Sequence, residues 1–202
     1  MAERTLILAS ASPRRRELLA AIVPEFSVIL SEVEEFDDPP VETLAERLAV
    51  AKVQAVAGRN PSACVVGADT VVVADGNVLG KPVDHDDARH MLRRLAGHWH
   101  EVRTGVAVVT GGRLSAATSI SRVLVHRFTD SEIAAYVDSG RPMDKAGAYG
   151  IQDADVPTVD AMDGCFCGVM GLPLWLTARL LSECGVSHAS PPMERCLTCP
   201  ER

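Results

Sequence analysis

The chain has 202 residues, with 20 Lys and Arg against 27 Asp and Glu, for a formal net charge of −7. With 47% hydrophobic and 23% charged residues it has a globular balance, which excludes a disordered tail protein, a collagen and a coiled-coil rod. The acidic excess also argues against a surface built for nucleic acid, but leaves room for a small anion held in a local basic pocket.

The apolar stretches fall far short of the about 18 residues that a membrane-spanning helix needs. The apolar run near the start is short and is followed by an Arg cluster, the reverse of a secretion signal. The expectation is a cytoplasmic protein with no membrane partner. Residues 5–9 read as a buried strand. Ser12 is placed to cap a helix with Pro13 at its first position, and residues 16–22 read helical. Residues 26–30 read as a second strand, and 31–40, acidic with two prolines, as a loop. Residues 41–59 form an amphipathic helix with Leu44, Leu48, Ala51 and Ala55 on one face.

Residues 64–74 are strand-like, interrupted by Gly67-Ala-Asp-Thr70. Asp75-Gly76-Asn77 signals a turn, with residues 78–79 returning as a partner strand. Residues 84–96 read helical with Ala88, Met91, Leu92 and Leu95 inward. Residues 102–110 and 115–127 read as strands joined by Gly111-Gly112. Thr129 and Asp130 cap a helix running to about residue 139. Residues 146–152 read as a Gly-rich loop, 156–161 and 165–169 as short strands, and 173–183 as a last helix. Strands and helices alternate early and pair as hairpins in the middle, which predicts an α/β fold with a mixed sheet flanked by helices. We expect one domain over residues 1–184 and a flexible tail over 185–202.

Six cysteines are present: Cys64, Cys165, Cys167, Cys184, Cys196 and Cys199. Cys196-Leu-Thr-Cys199 has zinc-ligand spacing, and Cys165-Phe-Cys167 could supply two more thiolates. The plainer reading is a thiol-bearing tail plus two strand cysteines, since no second CxxC or paired His lies nearby.

Only three of the twenty basic residues are lysines: Lys52, Lys81 and Lys145. A chain so biased toward Arg keeps Lys where a compact ammonium is wanted. Ser10-Ala-Ser-Pro-Arg-Arg-Arg follows a buried strand and opens a helix. Backbone N–H groups, hydroxyls and guanidinium forks converge there, as in a phosphate cradle, although the Gly-rich run and Lys of a P-loop are missing. Asp69 is an acid inside an apolar strand, and such a carboxylate must be paired, metal-bound or protonated. Glu34, Glu35, Asp37 and Asp38 form an acidic loop able to supply a second oxygen ligand. Carboxylates beside a basic cradle suit Mg²⁺ or Mn²⁺ better than zinc, and the implied chemistry is phosphoanhydride hydrolysis. His100 and His126 lie in strand-like segments and read as structural. Gly-x-Ser-x-Gly is absent.

These residues closely resemble the Maf family of nucleoside triphosphate pyrophosphatases. The matching segments are Leu8-Ala-Ser-Ala-Ser-Pro-Arg-Arg-Arg-Glu-Leu-Leu19, Ser31-Glu-Val-Glu-Glu35, Gly67-Ala-Asp-Thr-Val71, Leu79-Gly-Lys-Pro82, His100-Glu-Val-Arg-Thr-Gly105, Asp144-Lys-Ala-Gly-Ala-Tyr-Gly-Ile-Gln152 and Val169-Met-Gly-Leu-Pro173. The resemblance implies a divalent-metal-dependent hydrolase that releases pyrophosphate from a nucleoside triphosphate. It also implies an elongated two-lobed body with a central cleft, similar to inosine triphosphate pyrophosphatases, and often a homodimer. By motif, Asp69 is the proton acceptor, Glu35 and Asp69 hold metal or water, and Ser10, Arg14, Arg15, Lys52 and Lys81 grip the triphosphate, with Lys81 among the catalytic set. Arg14, Thr70 and Gln152 match the branch that resembles dTTP/UTP pyrophosphatases, and an amide such as Gln152 can both donate to and accept from a pyrimidine edge. The alternative is a non-catalytic, nucleotide-binding regulator of septum formation.

Overall fold

The structure is a computed structural model and describes residues 5–34, 36–153 and 155–202. In chain order the elements are β1 Leu6–Leu8, α1 Pro13–Ala20, β2 Ser27–Val28, α2 Leu44–Arg59, β3 Cys64–Ala74, β4 Asn77–Leu79, α3 His85–Leu95, β5 Trp99–Thr110, β6 Arg113–Val125, α4 Asp130–Asp138, β7 Val159–Asp163, α5 Phe166–Met170, α6 Leu174–Glu183 and α7 Glu194–Leu197. The strands form one seven-stranded sheet in the order β2-β1-β3-β5-β6-β7, with β4 beside β3. β1 runs parallel to β2 and β3, and every other pairing is antiparallel, so the sheet is mixed.

Local chemistry sets these elements. Ser12 caps α1 through a bond from the Arg15 amide, with Pro13 at the first helical position, where its missing N–H costs nothing. Asp84 caps α3, and Thr129 and Glu132 form a reciprocal capping box on α4. Asp75 and Gly76 both take positive φ, which matches the twist of the β3–β4 hairpin.

Alternation along β3 distributes the core. Val66 and Ala68 face α1 and α6 with Leu19, Leu172 and Leu181, while Val65 faces α2 with Ala49, Val53 and Val56. Beyond them, Val72 and Ala74 join a separate cluster with Leu92, Val102, Val123 and Ile133, under α3 and α4. Asp69 and Thr70 fall between these clusters, one on each face of the sheet. β3 bonds β1 at residues 64–66 and β4 at residues 72–74, so its edge at residues 67–71 faces no strand. That gap is the central feature of the fold.

α2 lies very close to the sheet beneath this gap. A Cβ on Gly105, the register partner of Asp69, would sit 2.3 Å from the Ala45 carbonyl oxygen. A Cβ on Gly67 would sit 2.8 Å from Val53 Cγ1. The far side of the gap is braced by His100, which is buried and whose Nε2 lies 2.8 Å from Tyr149 Oη. Burial pulls the His100 pKa down to about 4 against a weaker opposing bond to the His98 backbone, and burial pushes the Tyr149 phenol up. A neutral imidazole and a neutral phenol therefore share this bond.

Four local expectations change. β3 runs unbroken through Gly67-Ala-Asp-Thr70, because β5 pairs along its whole length there. The buried stripe of α2 is Leu44, Ala45, Leu48, Ala49, Lys52, Val53 and Val56, whereas Ala51 and Ala55 lie at its margins. The helix is turned to bring its lysine inward. Residues 165–169 are not a strand: Cys165 caps the short helix α5, whose amide at Gly168 bonds the Cys165 sulfur. Residues 185–202, expected to be flexible, lie against the body. Trp175 Nε1 donates to Cys196 O at 2.8 Å, Ala189 N donates to Ile22 O at 2.8 Å, and Cys196 and Cys199 are buried. Val186, Met193 and the two cysteines carry that docking into the cluster around Leu174 and Leu181; the polar residues between them masked it. No helix among the described residues is long and apolar enough to cross a membrane.

Two predictions follow from this packing. Gly105→Ala drives a methyl into the α2 backbone and lowers stability by roughly 1–3 kcal/mol or more, whereas Gly58→Ala, with nothing within 4 Å, raises it by up to about 1 kcal/mol. Urea midpoints of the two variants check this. Because His100 falls from 6.5 unfolded to about 4 folded, the unfolded chain binds the extra proton, and stability drops as pH falls from about 6.5 towards 4. His100→Gln flattens that part of the pH–stability curve.

Candidate active site

The open edge of β3 looks into a cleft of about 1050 Å³. Its floor is Asp69, the one charged residue of β3, and 5% exposed. Lys52, 8% exposed on the inner stripe of α2, bonds Asp69 Oδ1 through Nζ. The two glycines beside the pair, Gly67 and Gly105, are what let α2 come close enough for this reach. A buried ion pair of this kind holds together only because each charge has the other.

One wall is the β1–α1 connection. β1 ends at Leu8, and Ser10, Ser12 and the first turn of α1 follow, so backbone amides and the positive end of the helix face the cleft. Ser10 Oγ accepts the Ser12 amide at 3.2 Å. Arg15 crosses behind this wall. Its Nε donates to Gly171 O at 2.9 Å and its Nη2 to Thr70 Oγ1 at 3.2 Å. Thr104 Oγ1 donates to Gly168 O at 2.8 Å, so Thr70, 2.9 Å from Thr104 Oγ1, supplies the proton between the two hydroxyls. The chain Arg15, Thr70, Thr104, Gly168 thus has one direction throughout and fixes the back of the cradle.

The opposite wall comes from residues 144–152. Arg14 Nη1 reaches across to Asp144 Oδ2 at 2.6 Å, and Lys145 Nζ donates to Asp144 Oδ1 at 2.8 Å and to Arg141 O at 2.6 Å. Burial favours the neutral Asp144 carboxyl, but the bonds from Lys145 and Arg14 outweigh it and hold Asp144 below its ordinary value. Lys81, exposed after β4, also lines the cleft, and Gln152 does so beside Tyr149 and Ile151.

The structure thus brings Ser10, Arg14, Arg15, Lys52, Asp69, Thr70, Lys81 and Gln152 to one cleft. All three lysines of the chain are among its lining residues. Thr70 points to the Arg15 side of β3, away from Asp69 and Lys52. Of the acidic loop, Asp37 reaches the cleft together with Glu32 from just before it, while Glu34 and Asp38 do not line it. Glu35 lies outside the described residues. Asp144, Thr104 and the Gly171 carbonyl escaped sequence reasoning. Asp144 stood in a matched segment beside a scarce lysine, which was a usable signal; Thr104 and Gly171 act through strand register and a backbone oxygen, which carry none.

The described lining residues include neither His nor Cys, so the protein donors for a cation are oxygens: the Asp69 carboxylate at the floor and the exposed Asp37, while Glu32 is engaged by Arg59 at 3.0 Å. Such a set fits Mg²⁺ or Mn²⁺ rather than a soft metal.

Known proteins resemble this chain over nearly its whole length. The dTTP/UTP pyrophosphatase of Hahella chejuensis is 47% identical over 189 residues, spanning 91% of this chain and 94% of that one. The dTTP/UTP pyrophosphatase of Thermomicrobium roseum is 44% identical over 206 residues, spanning 97% and 93%. The solved Ham1 protein of Staphylococcus aureus aligns with 74% of this chain at a TM-score of 0.48 and 15% identity, too remote to add to the argument. The family profile described as Maf-like protein matches residues 5–184, and with relatives this similar over nearly their whole length, the chain belongs to the Maf-like protein family.

Proposed function

We propose that this chain hydrolyses a nucleoside triphosphate, dTTP or UTP, to the monophosphate and pyrophosphate, with Asp69 as the proton acceptor. The observation that carries the reading is the Lys52–Asp69 pair on the unpaired edge of β3, at the floor of a cleft that also holds Arg14, Arg15, Lys81 and Lys145. The names of the 44–47% identical relatives support the substrate. A catalytic domain over residues 1–184, a homodimer and a cytoplasmic setting belong to the same reading.

In this reading the triphosphate lies along the cradle of Ser10, Ser12 and the α1 amides. Arg14 and Lys81 neutralise its outer oxygens, and Arg15 keeps the cradle's back wall in place. Water approaches the α-phosphorus from the Asp69 side. Asp69 takes a proton from that water as the new P–O bond forms, the bond to the bridging oxygen breaks, and pyrophosphate leaves with the electron pair. Lys52 orients the carboxylate and lies near enough to the incoming phosphates to share its charge with them. A divalent cation held by Asp69, with Glu35 implied by the sequence and Asp37 nearby, would neutralise phosphate charge and activate water. Gln152, which lines the cleft beside Tyr149 and Ile151, bonds the edge of the pyrimidine in this reading.

Pyrophosphate release from a panel of nucleoside triphosphates with Mg²⁺ or Mn²⁺ tests this. dTTP and UTP turn over preferentially, and Asp69→Asn lowers kcat by about 10²–10⁴-fold with nucleotide binding retained. Lys52→Met loses activity as well, and because it strands a buried carboxylate it also costs about 3–5 kcal/mol of stability. Binding without turnover in the wild type would favour the regulatory alternative.

A further inference from the structure

Four of the six cysteines lie in two neighbouring pairs, Cys165 with Cys199 and Cys167 with Cys196, at a place the nucleotide chemistry does not use. Cys165 and Cys167 flank the start of α5, and Cys196 and Cys199 span the end of α7. All four are buried, at 2%, 1%, 2% and 8% exposure. Cys167 Sγ lies 3.5 Å from Cys196 Sγ. The sulfurs of Cys165 and Cys199 and a carboxylate oxygen of Glu201 all lie within 4.8 Å of one another. Glu201 Oε2 is buried and has no hydrogen-bond partner among the described residues. Such an acceptor, facing thiols that are poor donors, marks a place that lacks positive charge.

We propose that Cys165, Cys167, Cys196 and Cys199 bind a structural zinc ion that fastens segment 185–202 to the catalytic body. The spacing C-x-C with C-x-x-C is that of paired thiolate arms, and four sulfurs in a closed, buried setting suit tetrahedral Zn²⁺ and exclude the hard cations of the cleft. The outer shell is in place. The Gly168 amide donates to Cys165 Sγ at 3.3 Å, a bond that favours the thiolate. Ser121 Oγ accepts the Cys165 amide at 2.9 Å and so fixes the elbow that carries the first two ligands. Arg195 lies over the Phe166 ring at 4.2 Å and Arg202 over the Trp175 ring at 5.8 Å, two cations flanking a site whose four thiolates would outweigh the metal charge.

Burial pushes the thiols of Cys165, Cys167 and Cys196 up. Zinc binding by thiols displaces one proton from each ligating group. The site also bears on the cleft through structure. α5 runs from the Cys165–Cys167 elbow to Gly171, whose carbonyl holds Arg15.

The test is metal analysis of the full chain, expressed without a polyhistidine tag, by plasma mass spectrometry. We expect about one zinc per chain, falling to below about a tenth of that in Cys196→Ser and Cys199→Ser, while Cys184→Ser, outside the cluster, keeps it. As the serine variants are liable to unfold, wild-type protein stripped with a thiol-competitive chelator is reloaded with Co²⁺. The intense visible bands and sulfur-to-cobalt charge transfer of a tetrahedral thiolate site are expected, together with recovery of the thermal midpoint lost on stripping. Metal-free wild type that takes up no Co²⁺, a Co²⁺ spectrum without thiolate bands, or a Cys167–Cys196 disulfide in the intact mass would each overturn the proposal. None of these readouts depends on nucleotide hydrolysis.

Discussion

The architecture is organised around one buried ion pair. Asp69 is the one charged residue of a largely apolar strand, where an unpaired carboxylate would cost far more than a few contacts repay. Lys52 meets it only because α2 packs almost against the sheet, and α2 packs that closely because Gly67 and Gly105 carry no side chain. A pair so placed is poor value for stability alone, since apolar residues of similar size usually serve a core at least as well. Its retention makes sense where the sheet edge opens. β1 and β4 leave residues 67–71 of β3 without a strand partner, so the pair faces a cleft and not another strand.

That gap is also where an acidic protein gathers cations. With a net charge of −7, the chain as a whole repels a triphosphate. Within the cleft, however, Arg14, Arg15, Lys52, Lys81 and Lys145 converge with the amides at the start of α1. The guanidinium groups are fixed before any ligand arrives. Arg15 is bound at Gly171 and Thr70, and Arg14 is tied across the cleft to Asp144. Preorganised charge of this sort needs little rearrangement when substrate binds. The Arg14–Asp144 contact joins the two walls.

Local signals in the sequence were easy to read wherever short-range chemistry decides structure. Ser12-Pro13 at the start of α1, Asp75-Gly76 in the hairpin and the Ala88, Met91, Leu92, Leu95 face of α3 all appear as expected. The scarcity of lysine pointed to the cleft, because all three lysines line it. What the sequence hid depends on long-range packing. Gly67-Ala-Asp-Thr70 looks like a break in a strand until β5 is laid beside it. Alanines and a lysine on α2 compete for the inward face, and only the Asp69 partner decides in favour of Lys52. The Cys165–Val169 stretch has strand composition, yet the Cys165 cap and Gly171 at the end turn it into α5. Segment 185–202 looks like a tail because its apolar and thiol residues are scattered among polar ones, and they act together only once α5 and α6 are in place.

The central claim is that water activated at Asp69 attacks the α-phosphorus of a triphosphate bound along the cradle. A single turnover of dTTP in water enriched in heavy oxygen reads this directly by mass spectrometry of the products. The account predicts the label in the monophosphate and none in the pyrophosphate. Label in pyrophosphate, or orthophosphate as the first product, would place the attack on another phosphorus and contradict it.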